Sequence, residues 1–465
     1  MKEVREERAT GLKLAYIGGG SRGWAWKLMS DLAMESALEG TVSLYDLNRE
    51  AAQDNALIGE KISALPESKS RWRYEVAADL KSALTGADFV AISIVPGTFE
   101  EMRSDVHAPE KYGIYQSVGD STGPGGLMRA LRTIPIYAEF AKAIAEHCPD
   151  AWVINYTNPM TLCTRTLHAV FPGIKAFGCC HEVFGTQKVL AEMVTDMLGL
   201  PTPPREEIKV NVLGINHFTW HDKASWRGID LIPVYRDFVE KYAESGYHLK
   251  QLENWMSTSP LFRSPHRVKF DLFRRYGIIA SAGDRHLAEF MPPWYLKDPE
   301  TVAAWKFALT PVSYRVEHKG KLEEQGKRLA SGAEPVKIAL SGEEGVRQMK
   351  ALLGLGDLVT NVNIPNRGQL EGAPLGAVVE TNAVFSRDSL QPVYAGALPP
   401  GLNGLMMRHI HNHETILRAA LTRDAELAFQ AFVNDPLVTI GVDDARKLFV
   451  EMLQNTKKYL PGWKI

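Results

Sequence analysis

Residues Lys13–Ile17 form a short apolar run that ends in Gly18-Gly19-Gly20-Ser21-Arg22-Gly23. A stretch at helical spacing follows, carrying Trp24, Leu28, Met29 and Leu32. A strand that turns through Gly-x-Gly-x-x-Gly into a helix leaves few architectures open. Gly18 permits the tight turn, Gly20 lets backbone approach a pyrophosphate, and Gly23 lets helix and strand pack closely. The helix N-terminus, with Ser21 in the loop before it, then offers unpaired N–H groups to an anion. The next run, Thr41–Tyr45, ends at Asp46, 23 residues after Gly23. A carboxylate there accepts hydrogen bonds from the adenine-side ribose hydroxyls and repels a 2′-phosphate. The expected cofactor is therefore NAD rather than NADP.

The alternation continues. A helical stretch spans Glu50 to Leu65, a strand Trp72–Val76, a short helix Leu80–Leu84 and a buried strand Asp88–Val95. Pro135–His147 reads as a helix, and Ala151–Ile154 and Ile174–Gly178 as strands. Strands alternating with helices imply βαβ units and a Rossmann-type, doubly wound parallel sheet. Pro96–Gly126, with Gly119-Asp120 and Gly123-Pro124-Gly125-Gly126, lacks periodicity and reads as a long binding loop or lid. Pro201-Thr202-Pro203-Pro204 marks a domain boundary near residue 200, giving domains 1–200 and 201–465. In the second, Ile208–Leu213, Phe218–Trp226, Val359–Val362 and Ala377–Val384 read as strands, and Ala303–Leu329 and Leu402–Phe432 as largely helical.

With 465 residues, 53 Lys plus Arg against 55 Asp plus Glu and no basic cluster, nothing points to nucleic acid as a partner. No apolar run approaches the roughly 20 residues a membrane-spanning helix needs. Met1 to Thr10 has no apolar core of a secretory signal, and Cys148, Cys163, Cys179 and Cys180 form no disulfide-scaffold pattern. The expected compartment is a reducing cytoplasm.

Two further segments carry chemistry at the carboxyl ends of strands, where open α/β sheets bind ligands. One is Asn155-Tyr156-Thr157-Asn158-Pro159, whose amides can reach cofactor ribose or a substrate hydroxyl, or simply cap the following helix. The other is Cys179-Cys180-His181, with Asn216-His217-Phe218 after a later strand. A Cys and a His from two loops are too few for a structural zinc site. They suit either an open catalytic ion site completed by substrate oxygens or a buried thiol beside a core histidine.

Taken together these segments resemble glycoside hydrolase family 4, the NAD- and manganese-dependent glycosidases related to lactate and malate dehydrogenases. The resemblance rests on Ala15 to Ser21, Asn155 to Pro159, Gly178 to His181, Gly214-Ile215-Asn216-His217-Phe218 and Val359 to Asn366. Within the family, Cys179 to Gln187, Gln116-Ser117-Val118-Gly119-Asp120 and Gly283-Asp284-Arg285-His286 to Phe290 are most similar to the members that act on α-galacturonides.

That resemblance implies a second domain of α+β type, as in the lactate and malate dehydrogenases. It implies hydrolysis through C3 oxidation by NAD, C2 deprotonation, loss of the leaving group, water addition and return of the hydride. Cys180 and His217 match the two protein ligands of the manganese ion, Asn158 a substrate-binding residue and His181 the acid. Asp284 matches the region that supplies the C2 base. Asn155 joins Gly18, Gly20, Ser21, Gly23 and Asp46 on the cofactor. No basic residue follows Ser93-Ile94-Val95, which disfavours a 6-phospho sugar. A uronate needs a cation; Arg285 is the first choice, with Arg129 and Arg132 in reserve. The expected substrate is a galacturonate-containing oligosaccharide, and the expected assembly a homo-oligomer. The alternatives are an α-glucosidase or α-glucuronidase of the same family, a 2-hydroxy-acid dehydrogenase and a sugar sensor without turnover.

Overall fold

The computed structural model describes residues 2–464 apart from 6, 251–258 and 260. Its frame is a ten-stranded sheet. β1 (Glu3–Arg5) lies antiparallel on β2 (Arg8–Ile17). The six strands β2, β3 (Leu38–Tyr45), β4 (Trp72–Val76), β5 (Phe89–Ile92), β6 (Trp152–Asn155) and β7 (Lys175–Gly178) run parallel in the order β4-β3-β2-β5-β6-β7. The helices between them are α1 (Trp24–Met34), α2 (Arg49–Ser63), α3 (Leu80–Leu84), α4 (Phe99–His107), α5 (Gly123–His147) and α6 (Met160–Val170), and α7 (Glu182–Leu198) follows β7.

Strand alternation builds both faces. Leu14 and Tyr16 of β2 pack with Met29 and Leu32 of α1 and Ile58 and Ile62 of α2. Ala15 and Ile17 turn the other way, onto Tyr137 and Ile144 of α5 and Leu167 of α6. All four residues of β5 are buried, as expected of a central strand covered on both sides. Strand order reverses between β2 and β5, and the Gly18–Gly23 loop leaves β2 at that switch point.

Four expectations change. The long loop over Pro96–Gly126 contains α4 and the 3-10 turn Pro109–Tyr112, and α5 begins at Gly123, twelve residues before the expected Pro135. Thr98 and Glu101 cap α4 reciprocally, a Thr-x-x-Glu box present in the sequence. The glycines opening α5 permit close packing: a Cβ on Gly125 would lie 2.8 Å from the Gly119 carbonyl oxygen. The expected strand Phe218–Trp226 divides into Phe218–His221 and Ala224–Trp226, each central in a different three-stranded sheet. The helical stretch from Ala303 is interrupted, with one helix ending at Ala304 and the next, Val312–Ser331, starting after Pro311.

The fourth change is topological. Strands Leu358–Pro365, Val378–Ser386 and Ser389–Pro392, expected in a separate second domain, extend the first sheet, with Asn363 pairing antiparallel with Gly178 of β7. The rest of the second half is mixed: small antiparallel sheets, plus helices Pro400–Thr422, Ala425–Val433 and Val442–Thr456, which share an apolar core with α5. Among the described residues no helix is long and apolar enough to cross a membrane.

Candidate active site

The glycine loop forms a cradle at the end of β2. Gly18 has φ +93°, and a Cβ there would sit 2.0 Å from the Ser93 carbonyl oxygen; a Cβ on Gly20 would meet Ala51 at 2.8 Å. Gly23 caps α1 without any side-chain hydrogen bond, and no acidic residue occupies the first turn. The first N–H groups of α1 thus have no side-chain acceptor, which suits a pyrophosphate. Ser21 N–H donates to the Gly18 carbonyl at 2.9 Å. Asp46 accepts from the N–H groups of Gly20 and Asn48 at 2.9 and 2.8 Å, so the carboxylate expected to meet the ribose also fixes the loop.

Asn155 corrects an expectation. Its side chain is fully buried, with its oxygen accepting from Tyr137 Oη at 2.6 Å and from Thr157 N–H at 3.0 Å. Its amide donates to the Thr157 carbonyl at 3.2 Å. It holds the turn after β6 rather than facing a cofactor. Asn158 differs: its Oδ1 is buried with no partner, while Arg129 Nε donates to its carbonyl at 2.9 Å. A buried acceptor without a partner fits a substrate-facing role.

The strongest donor cluster is Asp120, His217 and His286, whose ligating atoms all lie within 4.8 Å of one another. The two imidazoles stack with centroids 3.8 Å apart. Ser121 Oγ lies 3.0 Å from His217 Nδ1 and donates to Asp120 at 2.7 Å. Burial and the neighbouring His286 push His217 down to about 3, and burial lowers His286 too. Burial opposes ionisation of Asp120, but Arg129 and the two histidines override it and hold its carboxyl below the usual range. Neutral imidazoles and an anionic carboxylate are the protonation states a divalent cation requires. His217 also has φ +63°, a strained backbone for a non-glycine residue, of the kind that clusters at functional sites.

Cys180 stands beside this trio and is not one of its three mutual donors. Burial, with the nearby charges of Glu380 and Glu182, raises its thiol well above normal, while Asn216, the residue before His217, hydrogen-bonds to it. Asn361 Nδ2 donates to the Cys180 carbonyl at 3.0 Å and to Glu380 Oε1 at 2.8 Å, and Asn216 donates to Glu380 Oε2 at 3.2 Å. Glu380 therefore ties the Cys180 and His217 loops together.

Asp284, expected as the base, faces elsewhere. It is fully buried, accepts from Lys269 N–H at 3.1 Å, and its carboxyl is raised by burial. Asp284 and His286 are two residues apart on helix Asp284–Phe290, about 200° around it, so when His286 points into the trio Asp284 points at helix Arg267–Tyr276. Arg285 is likewise engaged: it donates to the carbonyls of Ala308 and Ser117 and to Thr310 Oγ1. Arg132 is committed to a buried pair with Asp105.

His181, at the start of α7, pairs through Nδ1 with Glu343 at 2.8 Å and lies 6.1 Å from the Trp24 ring. Partial burial disfavours its charge, but Glu343 outweighs that and lifts it to about 9. His181 thus holds its proton at neutral pH. Stability from this pair is complete below about 6.5, the unfolded value, and is lost as pH rises through about 9. Glu343→Gln is expected to return the His181 titration toward 6.5, read from its ring-proton NMR shifts.

Sequence reasoning missed Asp120, His286 and Glu182 as site residues. Asp120 and His286 sit inside segments that carried the family resemblance, and Glu182 directly follows Cys180-His181. Glu182 accepts from Gly283 N–H at 2.7 Å and lies 3.8 Å from His286 Nε2.

The family 4 glycosyl hydrolase model matches residues 13–196, and the family's C-terminal domain model matches residues 212–438. The chain belongs to glycosyl hydrolase family 4. An α-galacturonidase from Thermoanaerobacterium saccharolyticum is 64% identical over 455 residues, covering 98% of this chain and 97% of its own. A crystal structure from Bacillus subtilis, provisionally named a glucosidase, superposes with a TM-score of 0.90 at 56% identity, covering 96% of this chain and 100% of its own. The 6-phospho-β-glucosidase of Thermotoga maritima, solved with manganese, NAD+ and glucose-6-phosphate, shares the fold at a TM-score of 0.77 and 19% identity, over 96% and 99% of the two chains. As a member of this family the protein is a glycoside hydrolase with a Rossmann-type sheet.

Proposed function

We propose that the protein hydrolyses α-galacturonides in a reaction that depends on NAD and a divalent metal, manganese first among candidates. The observation that carries this reading is the Asp120, His217 and His286 trio, two neutral imidazoles and a carboxylate poised for a cation in a fold whose glycine cradle suits a dinucleotide. The α-galacturonidase name of relatives at 64%, 58%, 57% and 55% identity supports the substrate class. The cofactor-binding residues are Gly18, Gly20, Ser21, Gly23 and Asp46. Asp120, His217 and His286 hold the metal, with Cys180 beside them. When bound, the ion supplies Lewis-acid stabilisation of charge on sugar oxygens and NAD a hydride acceptor and donor.

Two of the chain's own residues act on the sugar directly. His181, protonated at neutral pH, donates a proton toward the departing oxygen. Asn158, with its unpartnered side-chain Oδ1, accepts a hydrogen bond from a sugar hydroxyl. The buried thiol of Cys180 suits a reducing, cytoplasmic setting. Assembly of several copies belongs to the same reading.

The deciding experiment is hydrolysis of aryl α-galacturonide, α-glucuronide, α-glucoside and 6-phospho-α-glucoside with NAD, manganese and thiol. The galacturonide should turn over fastest, with no net NADH. Hydrolysis unaffected by removing NAD and chelating metal overturns the mechanism, and faster turnover of another sugar overturns the substrate.

A further inference from the structure

Helix α1 carries two tryptophans, and the fold treats them differently. Trp26 is half-buried, and its indole N–H donates to Asn55 Oδ1 at 2.7 Å. Trp24, the first residue of the helix after Gly23, is 41% exposed, and its indole N–H makes no hydrogen bond among the described residues. One exposed apolar side chain is ordinary on a protein surface. The place of this one is not, because its ring centroid lies 6.1 Å from that of His181, the proton donor.

Lys27, one helical turn on, sets its ammonium 5.3 Å from the Trp24 ring centroid. Its side chain makes no hydrogen bond and no ion pair among the described residues. Asp31, four positions further along the helix, is taken by Ser341, accepting from its N–H at 2.9 Å and from its hydroxyl. Glu343 holds His181 Nδ1 at 2.8 Å, so Nε2 is the nitrogen left to donate, on a side chain 40% exposed. The departing oxygen must come within about 3 Å of that nitrogen. The sugar attached to it then lies beside His181, where the exposed indole offers a neighbouring apolar surface.

We propose that Trp24 and Lys27 form the subsite for the departing sugar, and that this subsite selects an acidic one. The C–H groups at C3, C4 and C5 of a galacto-configured ring share one face, which an indole can cover, and a free ammonium beside the indole pairs with the ring's carboxylate. In an oligogalacturonide the departing residue is itself a uronate, so the aromatic surface and the charge suit the same ligand. The inference rests on the uronide reading above and on His181 as the donor. It adds what is recognised beyond the scissile bond. Both contacts are made before the bond breaks, so their loss acts chiefly on KM.

The test uses three substrates with NAD, manganese and thiol. They are digalacturonate, digalacturonate methyl-esterified on its reducing-end residue, and methyl α-galacturonide, which has no departing sugar. Trp24→Leu should lower kcat/KM on digalacturonate about tenfold, chiefly by raising KM, and change methyl α-galacturonide less than about threefold. Lys27→Gln should lower kcat/KM on digalacturonate about three- to tenfold and leave the ester within about twofold. Both variants should keep the wild-type circular dichroism spectrum. Equal losses of Trp24→Leu on digalacturonate and methyl α-galacturonide, with weaker NAD binding, would set the indole against the cofactor and overturn the subsite. No loss on digalacturonate overturns it as well. A wild type that cleaves another α-glycoside and none of the three galacturonides overturns instead the uronide reading on which the subsite stands.

Discussion

Replacing His217 with Asn should lower kcat on an aryl α-galacturonide by about 10³-fold or more and abolish stoichiometric manganese binding. Lewis-acid stabilisation of developing charge is worth several kcal/mol, and each 1.36 kcal/mol is about tenfold in rate. Asn is the informative replacement because His217 has φ +63°, a backbone that Asn tolerates better than most residues, so the variant keeps the local fold. His286→Ala should show the same two losses, since its imidazole stacks on His217 and its ligating atom lies within 4.8 Å of the other two donors. Equilibrium dialysis against manganese, beside steady-state kinetics, reads both. If His286→Ala binds metal and turns over like wild type, the trio is not the metal site, and the pairing of Cys180 with His217 expected from sequence alone regains the ground.

That contrast marks where sequence reading stops. The strand Trp72–Val76 is legible because Trp72 and Tyr74 face inward while Arg73 and Glu75 are exposed, and the helix Leu80–Leu84 because it is a short local unit, capped by Asp79. The glycine cradle is legible because turn, close approach and helix start each need glycine at a fixed spacing. The metal trio is not. Asp120, His217 and His286 are brought together from three distant segments, and nothing local to each says which will meet.

Helix register decides Asp284 against His286, and a seven-residue helix is too short for hydrophobic periodicity to reveal which face turns inward. The strands expected at Val359–Val362 and Ala377–Val384 are present, as Leu358–Pro365 and Val378–Ser386, but the sequence marks a strand and not its partner, and Asn363 pairs across 185 residues with Gly178.

Gly18→Ala should damage the protein more than Gly23→Ala, although both glycines belong to the same motif and both have positive φ, +93° and +89°. A left-handed backbone at a residue with a Cβ costs about 1–2 kcal/mol, and both variants pay it. Their surroundings separate them. A Cβ on Gly18 would lie 2.0 Å from the Ser93 carbonyl oxygen and 2.8 Å from its carbon, a backbone group just past β5 across the switch point. That oxygen cannot rotate aside as a side chain would, so overpacking adds roughly 1–3 kcal/mol. The nearest atom to a Cβ on Gly23 is Leu322 Cδ1 at 3.9 Å, an ordinary contact. The combined penalty of about 2–5 kcal/mol for Gly18→Ala is a large share of a typical folding stability of about 5–15 kcal/mol. Any relief must come from parting β2 from β5, which also opens the cradle. Thermal unfolding with and without NAD should therefore show a lower midpoint and a lost NAD-induced shift for Gly18→Ala, and a smaller change in both for Gly23→Ala. Equal behaviour of the two variants would mean that the close approach to Ser93 contributes nothing, and that the motif needs these glycines for backbone conformation alone.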